Sequence, residues 1–114
     1  MTQEEKELLI KDISARLPYH PIVHIHDIDV IDYDNYLYPD YIEKMMSNSI
    51  RLKPYLFPIS SMSKEQEQEE YEICKYYIPG YESNLIDFYN KNHFDYRGLI
   101  EKGLAIDATE LNIY

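Results

Sequence analysis

The chain has one cysteine, Cys74, so no internal disulfide framework can form and a reducing compartment is the simpler setting. It has three glycines, Gly80, Gly98 and Gly103, none clustered, which leaves no phosphate-cradling loop. Ser60-Ser61-Met62-Ser63 lacks the flanking glycines of a nucleophile elbow. No window approaches the roughly 18 apolar residues of a membrane span. The start, MTQEEKELLI, is acidic and is not followed by a long apolar run, unlike a signal peptide. These features together predict a cytoplasmic protein. Bases are also scarce, with 11 Lys and Arg against 21 Asp and Glu and a net charge of −10. A surface of that sign repels phosphate, which argues against direct nucleic-acid binding and against anionic membranes.

Tyrosine is plentiful. There are 13 Tyr and 3 Phe but no Trp. A tyrosine buries a ring while keeping a polar tip, which suits half-buried positions and protein interfaces. A chain of 114 residues fits a single domain over 1–114 that buries about two-thirds of its unfolded surface. The acid excess is shared between the two halves, so charge marks no domain boundary.

The texture changes most clearly over Arg51 to Tyr77. Leu52, Pro54, Leu56 and Pro58 share one side of an extended run, with Arg51, Lys53, Tyr55 and Phe57 on the other. Two prolines predict an edge strand or an extended arm, since neither can donate to a ladder. Ser63 and Gln66 then form a capping box that opens an acidic helix, with Tyr71, Cys74 and Ile78, and Tyr77 beside them, as its expected buried stripe. Thr2 and Glu5 form a second capping box, opening a helix to about Leu17. Its stripe is Leu9, Ile13 and Leu17, while Glu4, Glu7, Lys11 and Asp12 are expected to face water.

Ile22 to Asp27 alternates, with Val23 and Ile25 on one face and His24 and His26 on the other, and reads as a strand. The phase slips after Asp27, which predicts a bulge or tight turn over Asp27–Asp29, a second strand from Val30 to Tyr33 and a turn at Asp34–Asn35. Pro39 starts a helix whose apolar side is Tyr41, Ile42, Met45 and Met46. After Pro79–Gly80, Ser83 is expected to cap a short helix ending at Asn90–Asn92. A loop over His93–Gly98 follows, then a turn closed by Gly103 with positive φ. Leu104, Ile106 and Leu111 read as an extended tail. The order predicts an α+β fold: a small antiparallel sheet of two or three strands, packed by an N-terminal helix and two to three further helices.

Three stretches carry a resemblance: EEKELLIKDISARLPY at the start, KPYLFPISSMSKE from Lys53 to Glu65, and NKNHFDYRGLIEKGLAIDA near the end. In this order they resemble a family of small uncharacterised proteins from gut Bacteroides and their phages and mobile elements. The pattern is departed from after Lys64, and Thr109 to Asn112 stands where the family has a proline- and glycine-containing tail. Residues 20–48 resemble the family less, which implies a scaffold with a variable part. The resemblance implies a bacterial or phage setting and lends no catalytic residue.

Two constellations could carry chemistry. His24 and His26, at i and i+2 on a strand, project to one side as in several metal sites. A zinc or iron ion would need a third ligand, with His93 or His20 as candidates; His-x-His by itself is a sparse pattern, and the favoured reading is a polar strand face that happens to carry imidazoles. His93, Asp95, Tyr96 and Arg97 could supply acid–base groups and an anion clamp. The favoured reading is a rigid turn, with Asp95 accepting local N–H groups, Arg97 paired with a carboxylate, and Phe94 and Tyr96 plugging the core. Cys74 reads as an inert thiol.

With no catalytic residues and no cofactor expected, the sequence points to a non-catalytic protein that binds another protein. Tyr33, Tyr36, Tyr38, Glu65, Glu69 and Glu72 are the candidate partner surface. Two alternatives stand beside it: a small metal-binding protein or metalloenzyme using His24 and His26, and an inhibitor that imitates nucleic acid on a basic protein. A homodimer is compatible with all three.

Overall fold

The computed structural model describes residues 1–27, 32–75 and 79–114. Helix α1 (Gln3–Arg16) runs into a 3-10 turn (Leu17–Tyr19) that ends at His20 in the left-handed region. Strands β1 (Ile22–Asp27) and β2 (Asp32–Tyr36) precede helix α2 (Pro39–Met46) and the long strand β3 (Ile50–Pro58). Helices α3 (Lys64–Cys74) and α4 (Tyr81–Lys91) follow, then two short strands, β4 (Phe94–Asp95) and β5 (Ile106–Asp107). The α+β class holds, with α2, α3 and α4 added to the N-terminal helix, but among the described residues the sheet has five strands and is mixed rather than purely antiparallel. β1 pairs antiparallel with β2 on one side and β3 on the other, whereas β4 and β5 pair parallel with the C-terminal half of β3.

The core lies under one face of this sheet. Val23 and Ile25 of β1, with Ile50, Leu52 and Leu56 of β3, meet Leu9 and Ile13 of α1 and Tyr41 and Met45 of α2. Full burial of each such aliphatic side chain is worth about 1.5–3 kcal/mol, which fixes the register: a slip by one residue would turn His24 and His26 inward. Both capping boxes form, Thr2 with Glu5 and Ser63 with Gln66. Pro39 occupies the first turn of α2, and Gly103 has φ +73°.

β3 is not the expected edge. It is flanked by β1 along Ile50–Pro54 and by β4 and β5 along Tyr55–Pro58. Because Pro54 has no N–H, its pair with Val23 is a non-hydrogen-bonded one, and the missing donor points away from β1. The proline is thereby tolerated inside a sheet.

Other expectations change. Asp34 and Asn35 do not turn; they lie within β2, opposite His24 and Val23. Asp12 does not face water: it is fully buried, because Arg16 one turn later neutralises it. Tyr71 is 60% exposed and no described residue of α3 is buried, since this helix packs chiefly beside α4, where Tyr89 donates its hydroxyl to Glu70 at 2.7 Å. Met46 and Leu111 are exposed. Ser83 lies inside α4, whose N-cap is Gly80 at φ +91°. The expected bulge beyond Asp27, the start of the second strand at Val30, and Tyr77 and Ile78 of the acidic helix's stripe lie outside the described residues. No helix among the described residues is long and apolar enough to cross a membrane.

Candidate functional site

The alternation of β1 sends Val23 and Ile25 to the core, so His24 and His26 stand on the opposite, open face. The register of the hairpin places Asp34 beside His24 and Asp32 beside His26. Nδ1 of His24 lies 2.8 Å from Asp34 and its Nε2 3.4 Å from Asp32, while Nδ1 of His26 hydrogen-bonds Asp32. Hydrogen bonding from His26, with a smaller contribution from His24, holds the Asp32 carboxyl below its ordinary value. Tyr55 of β3 stands edge-on to the His24 ring at 6.5 Å and donates its hydroxyl to Asp34 at 2.8 Å. Burial, then the Asp34 carboxylate, pushes that hydroxyl up to about 12. The result is a cross-strand ladder of imidazoles and carboxylates, each imidazole already engaged.

Of the third ligands considered, His20 caps the 3-10 turn after α1, and His93 stacks on Tyr114 with ring centroids 3.8 Å apart. Among the described residues, no group of three or more His, Cys, Asp or Glu is placed to hold a metal ion. Sequence reasoning missed Asp32 and Asp34 as partners of the imidazoles. The signal was their alternation in Asp-Tyr-Asp, obscured by reading Asp34–Asn35 as a turn.

The polar turn after α4 is a structural knot. Asp95 accepts the N–H groups of Leu99 and Ile100, both at 2.9 Å. Arg97 pairs with Asp12 at 3.1 Å, and Arg16 donates to Phe94 C=O at 2.8 Å. The guanidiniums of Arg16 and Arg97 both lie over the Tyr96 ring, at 5.1 and 4.8 Å, and Tyr96 stacks on Tyr89. His93 has φ +61°, and burial together with the Arg16 charge lowers it to about 4. It is therefore neutral at ordinary pH. Tyr114 closes this end of the sheet, accepting from Ile22 N–H at 2.8 Å and donating to Tyr55 C=O at 2.9 Å. Its burial pushes the hydroxyl up to about 12. These contacts link α1, the α4–β4 connection and the tail, while His93 Nδ1 and Arg16 Nη1 are buried without a hydrogen-bond partner.

The candidate partner surface falls in two places. Tyr33 and Tyr36 lie on β2, the terminal strand of the sheet, and Tyr38 follows it. They are 38%, 52% and 49% exposed. Glu65, Glu69 and Glu72 are exposed on α3, with Glu72 held below its ordinary value by Lys75. Cys74 is half-buried at the end of that helix. Comparison with protein-family models, curated proteins and solved structures finds no match to this chain.

Proposed function

We propose that the chain is a non-catalytic accessory factor that binds another protein through a tyrosine-bearing sheet edge. The observation that carries this reading is the exposure of Tyr33 and Tyr36, on opposite faces of a terminal strand, and of Tyr38 just after it. A strand with one open edge offers its backbone to an incoming segment, and flanking tyrosines add contact area at low entropic cost. The exposed Glu65, Glu69 and Glu72 extend the surface toward partners with basic patches. The setting proposed is the cytoplasm of a bacterium, as part of a phage or mobile element.

The test is affinity capture from a lysate of the native host by the wild-type chain and by a Tyr33→Ser/Tyr36→Ser/Tyr38→Ser variant of unchanged thermal midpoint. A protein held by the first and lost by the second supports the proposal. Equal capture by both, or none by either, overturns it. Release of the captured protein by duplex DNA would favour imitation of nucleic acid by the acidic helix instead.

A further inference from the structure

The eleven basic residues of this acidic chain are not evenly used. Lys6, Arg51, Lys53 and Lys102 all line one groove of about 750 Å³, between the first turns of α1, the N-terminal half of β3 and the 102–104 turn. That volume lies in the range of ligand-binding clefts, roughly 300–1,000 Å³. Glu5 is the one acid on the groove wall, and its carboxylate is occupied by the Thr2 N–H at 2.9 Å, which holds it below its ordinary value. Lys6 is tied to Met46 C=O and Asn48. Among the described residues, no ion pair or hydrogen bond engages the side chains of Arg51, Lys53 or Lys102. Lys102 acts on Glu5, and Arg51 and Lys53 stand opposite His26 and His24, one strand away from Asp32 and Asp34. Yet neither Arg51 nor Lys53 has a carboxylate within ion-pair distance among the described residues. In a protein of net charge −10 these two cations beside an open groove favour an anionic occupant.

The floor defines that occupant further. Leu9, Ile50, Leu52 and Leu104 line it, each nearly inaccessible to solvent. Leu52 also presents backbone there. It lies two residues before Pro54, whose pair with Val23 cannot be hydrogen-bonded, so the N–H and C=O of Leu52 point away from β1. The short strand β5 takes up β3 only from Tyr55, and no strand among the described residues pairs with Ile50–Lys53 away from β1. The groove is thus an open half-edge of the sheet, with apolar side chains on one face and cations on the other.

We propose that this groove takes an extended acidic segment of a partner protein as an added strand ahead of β5. Residues paired beside Arg51 and Lys53 share their face of the sheet and would be Asp or Glu; those beside Ile50 and Leu52 face the floor and would be apolar. The segment recognised alternates acidic and apolar residues over about four positions. This surface is separate from the tyrosine edge, so either proposal stands without the other.

The test uses the full chain, ¹⁵N-labelled, with a peptide of about ten residues alternating Glu and Val as probe. The expected result is saturable shifts of the Ile50–Lys53 and Lys102–Leu104 amides, with Leu52 N–H exchange slowed at least about tenfold. Binding weakens at least about tenfold between about 50 and 500 mM salt, and equally in an Arg51→Glu/Lys53→Glu variant whose thermal midpoint is unchanged. An alternating Lys–Val peptide leaves the groove unperturbed. No shift at millimolar peptide overturns the proposal. So does an equal response to a peptide of the same composition with all Glu before all Val, or citrate reproducing the shifts and the slowed exchange.

Discussion

The buried carboxylate of Asp12 accepts two hydrogen bonds from the equally buried guanidinium of Arg16 one helical turn later, at 2.8 and 3.1 Å. A second cation, Arg97, reaches the same carboxylate from the turn after β4. The helix stripe of α1 therefore continues past Ile13 as an ion pair, and that pair holds the C-terminal third of the chain against it. Removing one partner of a buried pair leaves the other charge desolvated, which costs about 3–5 kcal/mol. Asp12→Ala should lose stability of that order in urea unfolding. Asp12→Leu combined with Arg16→Met should lose less than Asp12→Ala alone, since the fully buried Arg16 charge is then not stranded and only the partly exposed Arg97 loses its partner. A double variant less stable than the single one would show that the pair contributes more than its own mutual neutralisation.

His93 predicts a pH dependence. Its imidazole titrates near 6.5 when free, and burial with the nearby Arg16 charge brings it to about 4 in the folded chain. Between these values the unfolded chain holds a proton that the folded one refuses. The stability tied to the neutral ring is complete above pH about 6.5 and is lost as pH falls toward about 4. His93→Asn keeps a residue tolerant of φ +61° and removes the titration. Its urea midpoint should fall less than that of the wild type from neutral to mildly acidic pH. Parallel curves for the two proteins would refute the assignment.

How much of this was legible in the sequence depends on whether the signal is local. Capping boxes at Thr2 and Ser63 and the proline at the start of α2 involve residues three or four apart, and they place three helices. The alternation of Val23 and Ile25 with His24 and His26 places β1 and its exposed face. The rest is long-range. Nothing near Asp12 announces that Arg97 will join it 85 residues later, nor that Tyr114 will bridge β1 and β3. Asp34–Asn35 has turn chemistry, yet tertiary pairing with His24 and Val23 overrides it. Tyr71 and Cys74 have helical spacing, but periodicity cannot tell that, among the described residues of α3, none is taken into the core. The candidate site follows the same division: the imidazoles are visible from alternation, and their carboxylate partners only from the hairpin register.

That hairpin ladder makes an ordering of effects measurable. Asp32 is held below its ordinary value of 3.8 first by the hydrogen bond to His26 and then by His24. Its carboxyl-carbon NMR titration should therefore have a midpoint below 3.8. His26→Ala should move that midpoint upward more than His24→Ala does. The pairing's contribution to stability is present above the ordinary carboxyl value and disappears as pH drops through the lowered one. An Asp32 midpoint unmoved by His26→Ala would remove the ladder.

The two capping boxes are chemically alike and should differ in what their loss does. Thr2 caps α1, which delivers Leu9 and Ile13 to the core, so fraying of its first turn is coupled to global unfolding. Ser63 caps α3, none of whose described residues is buried and whose main packing is against α4. A cap is worth about 1 kcal/mol when replaced by Ala. Thr2→Ala should lower the global urea stability by about that amount. Ser63→Ala should leave the global transition almost unchanged while amide exchange through Lys64–Cys74 accelerates about fivefold. Two-state unfolding gives the first quantity, and native-state hydrogen exchange resolved by residue gives the second. A Ser63→Ala variant that loses as much global stability as Thr2→Ala would mean that α3 unfolds together with the sheet rather than ahead of it.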